Sequence, residues 1–146
     1  RYAIVRGDCF QPLLAACAAQ GLDPARYTQG FVVTYNERSF EKRRRERWGQ
    51  RLGLPVYELR RSDLALFMAL ECPQCNLLHT WSDLYQVEVV SDDWLQPVAG
   101  GEPGRLVITS RFARCCPAVR VLTQLRGRIV DGACPAGPAD TLVRLS

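Results

Sequence analysis

The sequence predicts an α/β fold, a small parallel sheet with crossover helices followed by an antiparallel, barrel-like β region. Three observations carry that expectation. Apolar β-branched runs at Tyr2 to Val5, Phe31 to Tyr35 and Pro55 to Leu59 are separated by two stretches of helical character, and strand, helix, strand, helix, strand implies parallel pairing through crossovers. After residue 60 no long helical period recurs. Strand candidates then arrive at short spacing with turn residues between them, the pattern of antiparallel pairing.

Taken in order, Tyr2 to Val5 reads as a strand, and Asp8 stands where a helix N-cap is expected before the apolar stretch Phe10 to Ala19. Gly21 supplies the helix-ending glycine. Leu22-Asp23-Pro24 opens a short turn or helix, and Phe31 to Tyr35 is a buried strand. Asn36 to Leu52 is expected as a charged helix with Phe40, Trp48 and Leu52 on a narrow apolar stripe, followed by the strand Pro55 to Leu59. The later strand candidates are Leu64 to Glu71, Leu77 to Trp81, Tyr85 to Val90, Gly104 to Ser110, Ala118 to Leu122 and Gly127 to Val130. Tyr85 to Val89 alternates as a half-buried strand does. Pro97 to Gly104 is a Pro/Gly-rich connection. Segments 1–60 and 61–146 are therefore the expected α/β and antiparallel parts, packed together as one compact domain, with no internal repeat.

With 146 residues and 47% apolar content the chain is long enough to bury a core. No apolar run approaches the roughly 20 residues that span a bilayer, so no membrane role is expected. The first residue is arginine, as expected of a processed or excised piece. Seven cysteines, an odd number and clustered, do not suit a secreted disulfide framework and point to a reducing, cytoplasmic setting. The net charge of +4 has a local source, because Glu37 to Arg51 holds seven basic and three acidic residues.

Several segments of the second half follow one another in a recognisable order. Glu71-Cys72, Leu78-His79-Thr80-Trp81, Tyr85 to Val90, Pro97-Val98 and Gly101-Glu102-Pro103-Gly104-Arg105-Leu106-Val107 are succeeded by Pro117-Ala118-Val119-Arg120 and Gly127-Arg128-Ile129. This resembles the phenylacetate-CoA ligase-like branch of the adenylate-forming acyl-CoA synthetases. Gly21 to Pro24 and Val56-Tyr57 sit where that family has similar elements, so the likeness covers nearly the whole chain.

The resemblance implies ATP and Mg²⁺ as cofactors, and with them a Gly-rich phosphate loop, an acid near the metal, a ribose-binding carboxylate and a mobile lysine. The loop and the lysine-bearing domain are absent from the 146 residues; in the family they lie before and after the matched region. Within it, Tyr57, Ser62, Asp63 and Arg128 are the positions that match nucleotide-site groups. Arg60-Arg61 interrupts the family's Tyr-Gly-x-Ser/Thr-Glu stretch, and Leu125 stands where its ribose-binding Asp is expected. Leucine has no hydrogen-bonding atoms with which to hold two hydroxyls. The expectation is a segment or degenerate homologue of an adenylate-forming carboxylate–CoA ligase, with no catalytic residue of its own and no activity alone.

Cys72-Pro73-Gln74-Cys75 has the spacing at which two thiolates of one turn share a zinc ion. Cys134, within Gly132-Ala133-Cys134-Pro135-Ala136-Gly137, resembles a Gly-x-Cys-Pro-Cys-Gly knuckle of the same family, with Ala136 at its second cysteine. A structural zinc on Cys72, Cys75 and Cys134 then needs a fourth ligand from His79, the sole histidine, Cys115 or Cys116. The alternative is that the cysteines are core or hairpin residues and His79 a hydrogen-bonded strand residue. A thioredoxin-like redox role fits less well, since that motif opens a helix. Cys115-Cys116 reads as a packing pair.

Arg43 to Arg47 offers a basic face for nucleic acid, but Glu37, Glu41 and Glu46 supply partners at helical spacing and no aromatic is interleaved for stacking. A solvated helix face is the favoured reading, and Trp81, Tyr85 and Trp94 are expected in packing. Another protein, or the remainder of a larger chain, is the expected partner. A zinc-stabilised protein-interaction module is the alternative function.

Overall fold

The computed structural model describes residues 1–36, 42–65, 67–93, 96–115, 117–132, 134–136 and 141–145, with side chains from residue 45 onward in the second helix. The positions Glu37, Phe40, Glu41, Trp94 and Cys116 lie outside the described residues. The chain divides into two compact units, Arg1–Tyr35 with Ser39–Leu59, and Asn36–Arg38 with Arg60–Ser146.

In the first unit, β1 (Ala3–Arg6) pairs in parallel with β2 (Phe31–Tyr35), Ala3 opposite Phe31 and Val5 opposite Val33. The start of β3 (Val56–Ser62) lies beside β2. Helix α1 (Gly7–Ala19) leaves β1 without an intervening loop. Gly7 is needed at that junction because a Cβ there would overlap the Tyr35 ring.

Asp8, expected as the N-cap, lies instead in the first turn of α1, and Arg6 holds the cap position with no side-chain cap bond. The reason is a nearer partner: the Arg6 guanidinium donates to Asp8 at 2.6 and 3.1 Å. The carboxylate still faces the positive end of the helix dipole. At the other end Gly21 adopts φ +65°, and Leu22 N–H donates to Cys17 O at 2.8 Å while Gly21 N–H donates to Ala18 O at 3.1 Å. That is the paired bonding of a Schellman stop.

Helix α2 is described over Lys42–Leu52. Asn36, expected as its first residue, is not helical and belongs to the second unit. Phe10, Phe31, Val33, Trp48 and Val56 form the core of the first unit. The Phe10 ring meets Phe31 and Trp48 edge-on at 5.0 and 4.6 Å, the geometry aromatic quadrupoles favour. Arg45 faces Glu58 at 3.9 Å with both side chains largely buried, so this part of the basic run already has an acidic neighbour.

In the second unit the strand order from the end of β3 is β3-β4-β5-β9-β8-β7-β6, with β4 (Phe67–Glu71), β5 (Leu78–Thr80), β6 (Tyr85–Val90), β7 (Gly104–Ser110), β8 (Val121–Val130) and β9 (Thr141–Leu145). The pairings from β4 to β6 are antiparallel, with a register irregularity between Arg105 and Val107. Two corrections concern this part. Of the segments expected as separate strands, Val121-Leu122 and Gly127 to Val130 are joined in the single strand β8, because Thr123 to Arg126 continues the alternation, while Ala118 to Arg120 lies before it. Strand β9, read as no element in the sequence, pairs with both β5 and β8.

One face of this sheet carries the core of Phe67, Ala69, Tyr85, Leu106, Ile108, Leu125 and Val143. The Thr123 hydroxyl, also buried, donates to Leu106 O at 2.8 Å, so its own burial leaves no unpaired donor. Among the described residues no helix is long and apolar enough to cross a membrane.

Leu125 is 3% exposed, and a carboxylate in its place would be buried against aliphatic side chains. Leu125→Asp is expected to lower the unfolding free energy by about 3–5 kcal/mol, the scale of an uncompensated buried charge. A urea midpoint equal to that of the native chain would show that Leu125 does not pack as described. In the first unit, Phe10→Ala is expected to cost about 3–5 kcal/mol, read from the same denaturation curves.

Candidate metal centre

The turn from β4 to β5 is built around Cys72. Its amide donates to Leu77 O at 2.9 Å and its carbonyl accepts from Asn76 N–H at 2.9 Å. Asn76 completes the reversal with φ 54°, a left-handed conformation that asparagine tolerates. Gln74 N–H then points at Cys72 Sγ at 3.4 Å. Beyond the end of β8, Ala136 N–H approaches Cys134 Sγ at 3.4 Å in the same two-residue relation. Two turns therefore each present a sulfur that accepts an amide N–H, which suits a thiolate.

Register brings these turns together. Leu142 of β9 lies opposite His79 of β5 and opposite Val130 of β8, so the β4–β5 turn and the exit of β8 meet across β9. Cys72 Sγ and Cys134 Sγ are 3.6 Å apart, and Cys75 Sγ lies 3.4 Å from His79 Nε2. All four ligand atoms are within 4.8 Å of one another. For metal–sulfur bonds of about 2.3 Å, a tetrahedral site has sulfur–sulfur edges of about 3.8 Å, and the cluster has that scale. It is far wider than the roughly 2.05 Å of a disulfide.

Cys72 and Cys134 are buried, Cys75 and His79 partly so, and Leu77, Leu142 and Val130 close the cluster from the apolar side. Burial pushes the Cys75 thiol up to about 11, helped by the neighbouring sulfurs of Cys134 and Cys72. Burial acts in the same direction on Cys72, but the Cys75 and Gln74 amides, with the thiols of Cys134 and Cys75, outweigh it and hold Cys72 below the ordinary thiol range. The arrangement can accept a soft or borderline cation on three sulfurs and one imidazole nitrogen. Cys115 is exposed and does not belong to the cluster.

The positions that the sequence links to a nucleotide are not gathered in this way. Tyr57 lies in the first unit, its ring 5.9 Å from that of Tyr2. Ser62, at the end of β3, is 1% exposed. Asp63 accepts from Asn36 Nδ2 at 3.1 Å and faces Arg61 Nε at 3.3 Å. Buried Arg60 donates to Asn36 O at 3.2 Å. Arg128 is exposed on β8, with β4, β5 and β9 intervening between it and the end of β3, roughly 19 Å measured along the sheet. Arg144 and the pair formed by Asp92 with Arg126 drew no attention in the sequence. The signal available for Arg144 was its place in the β-branched run of β9.

No family model matches the chain, and no curated protein matches it. Among solved structures, the chain is similar to 2-hydroxyisobutyryl-CoA ligase in an open conformation with 2-HIB-AMP and CoA, at a TM-score of 0.79 and 20% identity, covering 98% of this chain and 34% of that one. The same ligase in its postadenylation state with 2-HIB-AMP matches at 0.75 and 21% identity, over 98% and 31%. The N-terminal subdomain of Klebsiella oxytoca NpsA, in complex with 3-hydroxyanthranilyl-AMSN, matches at 0.50 and 15% identity, over 88% and 36%. The chain spans about a third of the length of these solved chains. What it shares with them is fold.

Proposed function

We propose that this chain is a zinc-stabilised, non-catalytic segment or degenerate homologue of a carboxylate–CoA ligase of the phenylacetate-CoA ligase-like branch, working in the cytoplasm through another protein or the remainder of a larger chain. The observation that carries the reading is the ligase fold running through 98% of the chain. The solved neighbours hold acyl-adenylates or an analogue, and one of them CoA as well. The chemistry of such enzymes is activation of a carboxylic acid as its adenylate and transfer to a thiol.

Loss of that chemistry here is supported by where the corresponding side chains are used. Leu125 packs in the apolar core, Ser62 is buried and Asp63 is engaged by Arg61 and Asn36. A ribose needs a carboxylate aimed at its hydroxyls and a magnesium ion needs oxygens held in an open site. These positions supply packing and local ion pairing instead.

Zinc fits the donor set of Cys72, Cys75, His79 and Cys134 because four protein ligands complete a tetrahedron. A closed site of this kind leaves no position for water or substrate, so the ion's work is to tie the β4–β5 turn to the exit of β8. Such a closed site favours, as a second reading, a zinc-stabilised interaction module whose ligase fold is ancestry alone. The basic helix is a weaker basis for function, with Arg45 turned to Glu58.

Elemental analysis of protein prepared without chelator is expected to find about one zinc per chain, and Cys72→Ser to release it. At free zinc about 100-fold above the dissociation constant the ion stabilises by about 2.7 kcal/mol, so the variant is expected to melt roughly 5–11 °C lower. Metal-free protein with an unchanged melting curve would remove zinc from the proposal. Calorimetric titration with ATP or AMP is expected to give no dissociation constant at the micromolar level or tighter, about −8 kcal/mol. Binding at that strength would overturn the non-catalytic reading while leaving the zinc site standing.

A further inference from the structure

On the sheet face opposite the main core of the second unit, arginines recur at neighbouring positions of β7, β8 and β9. Arg105 pairs with Arg126, and Arg128 lies directly opposite Arg144. The first two are satisfied. Arg126 grips Asp92 with two bonds of 2.6 and 2.7 Å, and the Arg126 guanidinium holds that carboxyl below its usual range. Arg105 donates to Thr123 O at 3.1 Å. Arg128 and Arg144 are exposed, and neither has an ion pair or a side-chain hydrogen bond among the described residues. Like charges directly opposite on antiparallel strands repel, with Cβ atoms about 4.5–5.5 Å apart.

We propose that Arg128 and Arg144 form a clamp for the phosphate of a small organic phosphate monoester. Guanidinium forks match the oxygens of a phosphate and can each donate two bonds to it. A dianion neutralises both charges, whereas a single carboxylate leaves one unbalanced. The surface around the pair has room for more than an ion. A depression of about 350 Å³ is lined by the two arginines with Pro103, Gly127 and Leu145, a volume at the low end for small-molecule sites. Gly127 lets β8 and β9 run close together beside it, because a Cβ there would stand 2.5 Å from Arg144 O. Pro103 offers an apolar contact beside the charged clamp, so the ligand has a phosphate head and a small apolar body.

The test is calorimetric titration of the full chain at low ionic strength with phenyl phosphate, inorganic phosphate and phenylacetate. Phenyl phosphate is expected to bind with a dissociation constant on the order of 1 mM, several-fold tighter than inorganic phosphate and tighter than phenylacetate. Arg128→Gln and Arg144→Gln are each expected to weaken it at least tenfold, and Arg111→Gln, an exposed arginine beyond β7, to leave it unchanged. Arg144→Gln is expected to melt no lower than the native chain in phosphate-free buffer, since it removes a repulsion, which separates lost binding from lost folding. Absence of phenyl phosphate binding, equal binding by the Arg128 and Arg144 variants, or equal loss in Arg111→Gln would overturn the proposal.

Discussion

The second unit depends on β8 being hydrogen-bonded along both edges, to β7 on one side and β9 on the other. A strand held on both edges has its alternation fixed, because a slip of one residue would turn every side chain to the opposite face. Thr123 and Leu125 are thereby committed to the core, while Arg126 and Arg128 point away from it. The same pairing carries the chain from the core to Cys134. Core packing, arginine face and cysteine cluster therefore share one register.

This constraint gives the position of Leu125 its meaning. Judged by resemblance alone it is a missing carboxylate; judged by packing it is a residue whose neighbours Leu106, Ile108 and Val143 are already apolar. Restoring an acid there would need a different path for β8, not only a different side chain. Arg60 belongs to the same argument, since it is buried and bonded to the Asn36 carbonyl. Leu125 and Arg60 are thus both structural parts of the fold.

The cysteine cluster joins residues 62 positions apart, Cys72 and Cys134. Closing such a separation costs chain entropy, which the strand ladders and a small apolar patch of Leu77, Leu142 and Val130 help to offset. A bound ion would add coordinate bonds between the two turns. The four ligand positions come from two turns and one strand, so metal, turn geometry and β5–β9 register would reinforce one another.

The sequence by itself determined what local chemistry dictates. The parallel beginning and antiparallel continuation follow from the spacing of the apolar runs. The stop of α1 at Gly21 follows from the freedom of glycine at positive φ, and the turn at Asp23 from its carboxylate accepting from Ala25 N–H at 3.0 Å. Cys72 and Cys75 were legible as a pair because a turn of four residues places them side by side. Asp8 was misread as a cap because its competitor, Arg6, is a local partner that no capping rule weighs. Strand β9, five residues that include Thr141 and Arg144, is too short to show a period of its own. Only the tertiary structure decided that His79 rather than Cys115 completes the group of Cys72, Cys75 and Cys134, that Leu125 is core, and that Arg128 meets Arg144. Those three outcomes depend on which strands lie side by side and in what register, and hydrogen bonding between distant segments sets both.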